Sequence, residues 1–235
     1  MTISGLQKMT LLDYPGKVAC TVFLQGCNFR CPFCHNSDLL CGSEDAFMTT
    51  EEFLDFLKKR TGLLDAVCVS GGEPTLQKDL PELLKGIKAL GFRVKLDTNG
   101  SRPEVLKALV NDGLVDYVAM DVKNSPALYG ETTGTSQLDI NSIEESLRFL
   151  IAGNVAYELR TTVVAELHSQ QSITEMGQWL SSLVPNKKPE KLFLQCFVAR
   201  DSVLKSGLTA PDEQTLVHYA EILTPYVGFS AVRGL

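Results

Sequence analysis

The chain reads as an α/β protein, a partial and open TIM-type barrel of about six parallel strand–helix units. Two observations lead there. Six short apolar runs, at 18–24, 66–70, 92–97, 117–122, 157–164 and 191–196, are partly β-branched and of strand length. Between them lie longer stretches of helical period, and parallel neighbours need such crossovers. Six units fall two short of a closed eight-stranded barrel, so the sheet is expected to stay open, with its site at the strand C-terminal ends.

The helices are read in the same way. Thr49-Thr50-Glu51-Glu52 carries a capping pattern before an apolar face of Phe53, Leu54, Phe56 and Leu57. Further helices are expected near 80–90, 103–111, 141–152, 172–183 and 211–223. Pro185-Asn186-Lys187-Lys188-Pro189 reads as a turn before a strand rather than a linker. No repeat or low-complexity segment breaks the chain, so residues 1–235 are expected to form a single domain.

Composition narrows the function. With 235 residues and 44% hydrophobic content the chain can bury a sizeable core. A net charge of -6, with 22 scattered basic residues, argues against a nucleic-acid partner. No apolar run reaches the length of about 18 residues that spans a bilayer, and the first residues lack a basic region followed by an apolar one. An odd count of seven cysteines, three of them crowded together, suits a reducing cytoplasm better than a disulfide framework. Cys20 and Cys68 lie in strand-like runs, where a cysteine behaves as a small buried hydrophobe. Cys41 and Cys196 show no spacing for a second cluster.

The crowded three carry the chemistry. Cys27, Cys31 and Cys34 form C-x-x-x-C-x-x-C in a loop after an apolar strand, within a segment expected to run over 25–47. Three thiolates there can hold three irons of a four-iron cluster, and the fourth iron then lacks a protein ligand. Electron-transfer clusters are usually closed by four cysteines, so an open iron points to a site that binds a substrate or cofactor. A zinc site is the alternative, but a second C-x-x-C knuckle is missing and His35, directly after Cys34, is awkwardly placed as a fourth ligand.

Polar residues gather at the strand ends. Ser70-Gly71-Gly72-Glu73-Pro74-Thr75 comes after the second strand, and its two glycines let a ligand approach the main chain closely. A plain glycine turn is the simpler reading. Asp97, Thr98 and Asn99 end the third strand, and Asp121 and Lys123 the fourth. These suit ribose hydroxyls, a cation or a carboxylate, though an Asp or Asn there is more often a cap or turn residue. Arg160, inside the fifth strand, calls for a carboxylate partner, either from the protein or from a ligand.

The cysteine spacing, with an aromatic before the last cysteine, resembles the signature of radical S-adenosylmethionine (radical SAM) enzymes, and G-G-E-P resembles the segment that holds the methionine amino group in them. Lys8-Met9-Thr10-Leu11-Leu12-Asp13-Tyr14-Pro15-Gly16-Lys17, the C-H-N after the third cysteine, G-G-E-P-T-L-Q, V-K-L-D-T-N-G-S and Y-V-A-M-D-V-K are similar to glycyl radical enzyme activating enzymes, in the anaerobic ribonucleoside-triphosphate reductase branch. The likeness is close over the first two-thirds of the chain and loose over the last third. It implies a radical SAM core in which Cys27, Cys31 and Cys34 bind a [4Fe-4S] cluster and S-adenosyl-L-methionine chelates the open iron. Phe33 would lie near the adenine; Gly71, Gly72 and Glu73 would hold the methionine amino end; Asp97, Asp121, Lys123 and Arg160, beside Thr98 and Asn99, would position ribose and carboxylate. A flavodoxin or ferredoxin would supply one electron, and the resulting 5′-deoxyadenosyl radical would take a hydrogen from a glycine Cα of a partner glycyl radical enzyme.

One departure stands out. Related pyruvate formate-lyase activases carry a cofactor-contacting histidine near the end of the sixth strand, and here Leu194-Gln195-Cys196 contains none. Gln195 is the candidate replacement. His168 and His218 are expected to be solvated, which leaves His35 as the histidine to test. Activation of another glycyl radical enzyme, radical chemistry on a small molecule, and a non-enzymatic metal or electron-transfer module are the other readings. The last predicts four cluster ligands and no site for S-adenosylmethionine, against which G-G-E-P and D-T-N-G argue.

Overall fold

A computed structural model of the chain describes residues 2–40 and 46–234. The six expected strands are all present: β2 (Ala19–Leu24), β3 (Ala66–Gly71), β4 (Arg93–Thr98), β5 (Tyr117–Asp121), β6 (Ala156–Val163) and β7 (Lys191–Cys196). Two further strands are present that the sequence pattern does not show, β1 (Ile3–Thr10) and β8 (Phe229–Arg233). The fold is α/β, and strands pair in chain order from β1 to β4 and from β6 to β8. β1 lies antiparallel to β2, whereas β2–β3–β4 and β6–β7–β8 are parallel.

The helices are α1 (Thr50–Lys58), α2 (Leu80–Ala89), α3 (Pro103–Asn111), α4 (Tyr129–Thr133), α5 (Ile140–Ile151), α6 (Gln170–Ser182) and α7 (Glu213–Leu223). Local chemistry starts them. Thr49 accepts from the Glu52 amide while Glu52 reaches back to the Thr49 amide, the reciprocal box the sequence announced. Ser169 and Ser172 do the same for α6, and the Asp212 carboxylate caps α7. The five-residue α4 is too short to show a period, so no expectation covers it.

The described residues gather into two compact units. The first comprises Met1–Asn28, Asp38–Thr98 and Glu104–Ala119, and holds β1–β4 with α1–α3. Its sheet interior is filled by Ala19, Ala66 and Cys68 beneath Tyr14 and Tyr117, whose rings lie 5.6 Å apart. Cys20 and Cys68 are fully buried, as their strand positions implied, and burial pushes both thiols up to about 12. The second unit comprises Phe29–Ser37, Asn99–Pro103 and Met120–Leu235, and holds β6–β8 with α4–α7. Its buried apolar residues include Tyr129, Leu147, Leu159, Leu180, Leu194 and Leu216. No helix among the described residues is long and apolar enough to cross a membrane.

β8 is tied to its neighbours by charge. Arg233 donates to both oxygens of the buried Glu158 at 2.9 Å, and its guanidinium lies 3.3 Å from the centre of the Phe193 ring. The pair therefore reaches across β7 from β6 to β8, stacked on the strand between. Replacing Arg233 with Met strips the carboxylate of a bidentate partner. The variant is expected to lose about 2 kcal/mol of stability, measured by urea unfolding; an unchanged midpoint would show that the pair does not hold β8 in place.

Candidate functional site

In the first unit the approach to Cys27 is built main chain against main chain. The Gly72 amide donates to Leu24 O at 2.9 Å and the Glu73 amide to Gly26 O at 2.7 Å. A Cβ on Gly71 would overlap the backbone of Leu24, and one on Gly72 would overlap the carbonyl of Gly26. The two glycines thus have a reason independent of any ligand: only without side chains can the end of β3 lie against the residues before Cys27. Gln77 adds a hydrogen bond from its amide nitrogen to Gln25 O at 2.7 Å, and the Gly26 amide donates to Leu39 O at 2.8 Å. Gln77 closes the G-G-E-P-T-L-Q stretch, but the sequence assigns it no role.

Glu73 is fully buried. Its Oε1 accepts from the Thr75 amide at 3.1 Å, from the Thr75 hydroxyl, and from the Thr98 hydroxyl at 2.8 Å. It caps the short 3₁₀ turn at Pro74–Leu76 and joins that turn to the end of β4. Asp97 is engaged as well, by the buried Lys95 ammonium and by the Ser70 hydroxyl at 3.1 Å. Thr98 therefore acts on Glu73, and the Asp97 carboxylate is tied to Lys95 on its own strand and to Ser70 on β3.

In the second unit, residues 29–37 carry Cys31, which is buried, and Cys34, which is half-buried. No helix or strand runs through 25–36. The segment is held from several sides: the Arg30 amide donates to Thr133 O at 2.8 Å, the Cys34 amide to Cys31 O at 3.0 Å, and the Lys205 amide to Pro32 O at 2.9 Å. Gly134, at φ +63°, lies where a Cβ would overlap the Arg30 carbonyl. His35 is stacked on Phe197 with ring centres 5.4 Å apart, and its Nε2 lies 2.7 Å from Val198 O. That nitrogen is occupied by the protein. Cys41 lies outside the described residues.

Asp121, Lys123 and Arg160 come together. Lys123 Nζ is 2.9 Å from Asp121 Oδ2 and Arg160 Nε is 3.0 Å from Asp121 Oδ1. Arg160 thus meets a protein carboxylate, the plainer of the two expectations. Burial alone would raise the Asp121 carboxyl, but the two cations outweigh it and bring it down to about 2. Burial also works against the Lys123 charge, and the Asp121 carboxylate together with the Cys31 sulfur turns the balance upward. The Lys123 ammonium sits 5.9 Å from the centre of the buried Phe33 ring. Gln195 lies at the end of β7, half-exposed, in register with Thr162 on β6 and Arg233 on β8. Asn99 accepts from the Ser101 amide at 2.9 Å, a turn contact of the kind an Asn at a strand end usually makes.

One expectation is overturned. His168 is not solvated but buried, 4% exposed, and bonded at both ring nitrogens. Its polar sequence surroundings mislead because the histidine lies in the turn between β6 and α6, packed inward. His218 is exposed, as expected, 3.9 Å from Glu221.

The residues suit an iron–sulfur cluster in kind. Every described cysteine keeps its thiol rather than a disulfide, and three thiols share one irregular loop. Among the described residues no three His, Cys, Asp or Glu side chains converge as ligands of a single ion. A four-iron cluster does not ask for that, because each thiolate meets a different iron.

Comparison with known proteins decides the family. The sequence model of the radical SAM superfamily matches residues 21–168. The chain belongs to the radical SAM superfamily. Enzymes of this family use a [4Fe-4S] cluster and S-adenosylmethionine. A protein of Methanocaldococcus jannaschii, provisionally named a glycyl-radical enzyme activating enzyme, is 34% identical over 241 residues, covering 98% of this chain and 95% of that protein. The pyruvate formate-lyase-activating enzyme of Clostridium pasteurianum is 34% identical over 131 residues, 52% of each. Among solved structures, Streptococcus suis SuiB aligns over 91% of this chain and 48% of its own, with a TM-score of 0.70 and 16% identity. QueE from Escherichia coli aligns over 99% and 93%, with a TM-score of 0.58 and 17% identity. At these identities the structures speak for the fold, the open α/β sheet of radical SAM enzymes.

The Asp121 cluster generates a pH dependence. A carboxyl whose folded value lies near 2, below its ordinary 3.8, contributes stability that is complete above about pH 4 and is lost as pH falls toward 2. Asp121→Asn is therefore expected to be less stable than the parent at neutral pH, by on the order of 1 kcal/mol after solvent screening. The difference should shrink as pH falls from 4 to 2, read from denaturant midpoints; a gap constant with pH would remove the ion pairs as its cause.

Proposed function

We propose that the chain is an activase: with its cluster loaded and reduced, it uses S-adenosylmethionine to generate a glycyl radical on a partner glycyl radical enzyme, the anaerobic ribonucleoside-triphosphate reductase being the specific candidate. The observation that carries this reading is likeness at nearly full length, 98% of this chain, to a protein named as an activase of glycyl radical enzymes, where the pyruvate formate-lyase-activating enzymes of Clostridium pasteurianum and Listeria monocytogenes match 52% and 62% of it. Cys27, Cys31 and Cys34 are the proposed ligands of three irons. Phe33, Gly71, Gly72, Asp121, Lys123 and Arg160 are the proposed contacts of S-adenosylmethionine. Glu73 and Thr98 belong with them through the buried hydrogen bonds that shape the G-G-E-P turn, and Asp97, Asn99 and Gln195 through their places at strand ends.

When bound, the cluster and S-adenosylmethionine supply a carbon-centred radical able to remove a glycine Cα hydrogen. The chain's own work is to hold and shield. The Gly71–Gly72 contact sets the entry to Cys27, and the paired charges of Asp121, Lys123 and Arg160 offer one carboxylate and two cations in fixed positions. A flavodoxin or ferredoxin in the cytoplasm is the proposed electron donor, and residues 1–235 the proposed functional domain.

Radical chemistry on a small molecule is the second reading. A Thermococcus kodakarensis protein, provisionally named a GTP 3′,8-cyclase, is 35% identical over 133 residues, 54% of this chain.

The two readings part in one experiment. The protein is reconstituted anaerobically with iron and sulfide, reduced with dithionite, and given S-adenosylmethionine and the candidate reductase. 5′-Deoxyadenosine is followed by mass and the glycyl radical by electron paramagnetic resonance. A glycyl doublet is the expected result, and Cys31→Ala is expected to lose the cluster absorption and the cleavage together. Cleavage without a protein radical, across glycyl radical enzymes tested, would shift the assignment to a small molecule. Cleavage by Cys31→Ala would remove Cys31 from the cluster.

A further inference from the structure

Four consecutive residues at and after the end of β5 are each pinned by side-chain hydrogen bonds within the second unit. The Tyr129 hydroxyl donates to Asp121 O at 3.4 Å, the Thr161 hydroxyl to Val122 O at 2.8 Å, and His168 Nε2 lies 2.9 Å from Lys123 O. Asn124 is held through its own side chain, which donates to Leu167 O at 2.8 Å and to the Thr132 hydroxyl at 2.9 Å. The Val122 amide also donates to Arg160 O at 2.8 Å. These bonds satisfy buried backbone groups that the sheet and helix ladders leave unpaired.

The bond to Lys123 comes from a defined tautomer. His168 Nδ1 lies 3.1 Å from the Val164 nitrogen and 3.2 Å from the Val164 oxygen, so that end of the ring does not settle the tautomer. The Lys123 carbonyl can only accept, so Nε2 carries the proton and, in the neutral ring, Nδ1 accepts from the Val164 amide. Burial lowers the His168 pKa and so favours this neutral form. Two neighbouring contacts place His168: Ser169 is the N-cap of α6, and Tyr219 donates to His168 O at 3.4 Å. The start of α6 thus fixes the ring, and the ring fixes the backbone of Lys123.

We infer that His168 is the positioning residue of Lys123: it holds the main chain so that the ammonium stays between Asp121 and the face of Phe33. The inference rests on the proposed role of Lys123 in binding S-adenosylmethionine. Any buried histidine needs an acceptor for its N–H, so the distinction lies in whether the Lys123 main chain loosens when that bond is removed. His168→Gln keeps a donor long enough to reach that carbonyl. His168→Asn keeps an amide at the Val164 end but falls short of Lys123, and His168→Leu removes both bonds.

Two readouts test it. In the cofactor-free protein, amide hydrogen exchange at 122–125 is expected to rise in His168→Asn and His168→Leu and to stay near the parent in His168→Gln. In the cluster-loaded protein, equilibrium dialysis is expected to show about tenfold weaker binding of S-adenosylmethionine in His168→Leu, with near-parental binding in His168→Gln. Lys123→Met should weaken binding at least as much, and the double variant should bind no worse than Lys123→Met alone. Losses that multiply in the double variant, or exchange that rises equally in Gln and Asn, would overturn the assignment and leave His168 a core residue. Should His168→Leu fail to fold, the Gln and Asn pair decides by the same two measurements. Should the parent itself bind no S-adenosylmethionine, the cofactor role of Lys123 fails while the exchange data still judge what His168 holds.

Discussion

The main chain at the end of β3 lies directly on the main chain that leads into Cys27. Leu24 and Gly26 receive the amides of Gly72 and Glu73, and neither glycine has room for a Cβ. Backbone contact of this kind tolerates little movement, because no flexible side chain intervenes to absorb it. Glu73 then turns inward, where Thr75 and Thr98 saturate one carboxylate oxygen and tie the turn to β4. The first cysteine of the motif is consequently presented by three strand ends rather than by a loose loop.

The second unit solves a different problem, that of holding charge out of water. Asp121, Lys123 and Arg160 are all at least partly buried, and each would be costly alone. Together they make two ion pairs on one carboxylate, strong enough to overcome burial and keep the carboxyl ionised. The surrounding backbone is hydrogen-bonded by Tyr129, Thr161, Asn124 and His168, so the three charges sit on main chain that is already held. Preorganisation of polar groups is what an electrostatic site requires. The family's cofactors bring the difficult chemistry, and the protein brings fixed positions.

Much of this is legible along the chain. The six central strands alternate with helices whose caps and periods are local properties, and the capping box at Thr49 is visible as four letters. β1 and β8 are not visible: Gly5, Lys8 and Met9 interrupt the one, and β8 is a five-residue strand with no fully buried position. Strands with little burial leave little hydrophobic pattern. His168 misleads for the opposite reason, since its neighbours are polar while its own ring is packed inside. Nothing in the sequence assigns Gln77 its role or Glu73 its double one.

What the sequence alone determined was the inventory: three thiols at a spacing that recurs through a superfamily, glycines where a close approach is needed, and six of the eight strands with the helices between them. Those are matters of covalent order and local period, and order is what a sequence records. Only the tertiary structure decided which partner each polar group takes. Arg160 met Asp121 across 39 positions of chain, and His168 met Lys123 across 45. Such pairings depend on where the fold brings distant segments, because a buried charge or carbonyl accepts whichever complementary group can reach it.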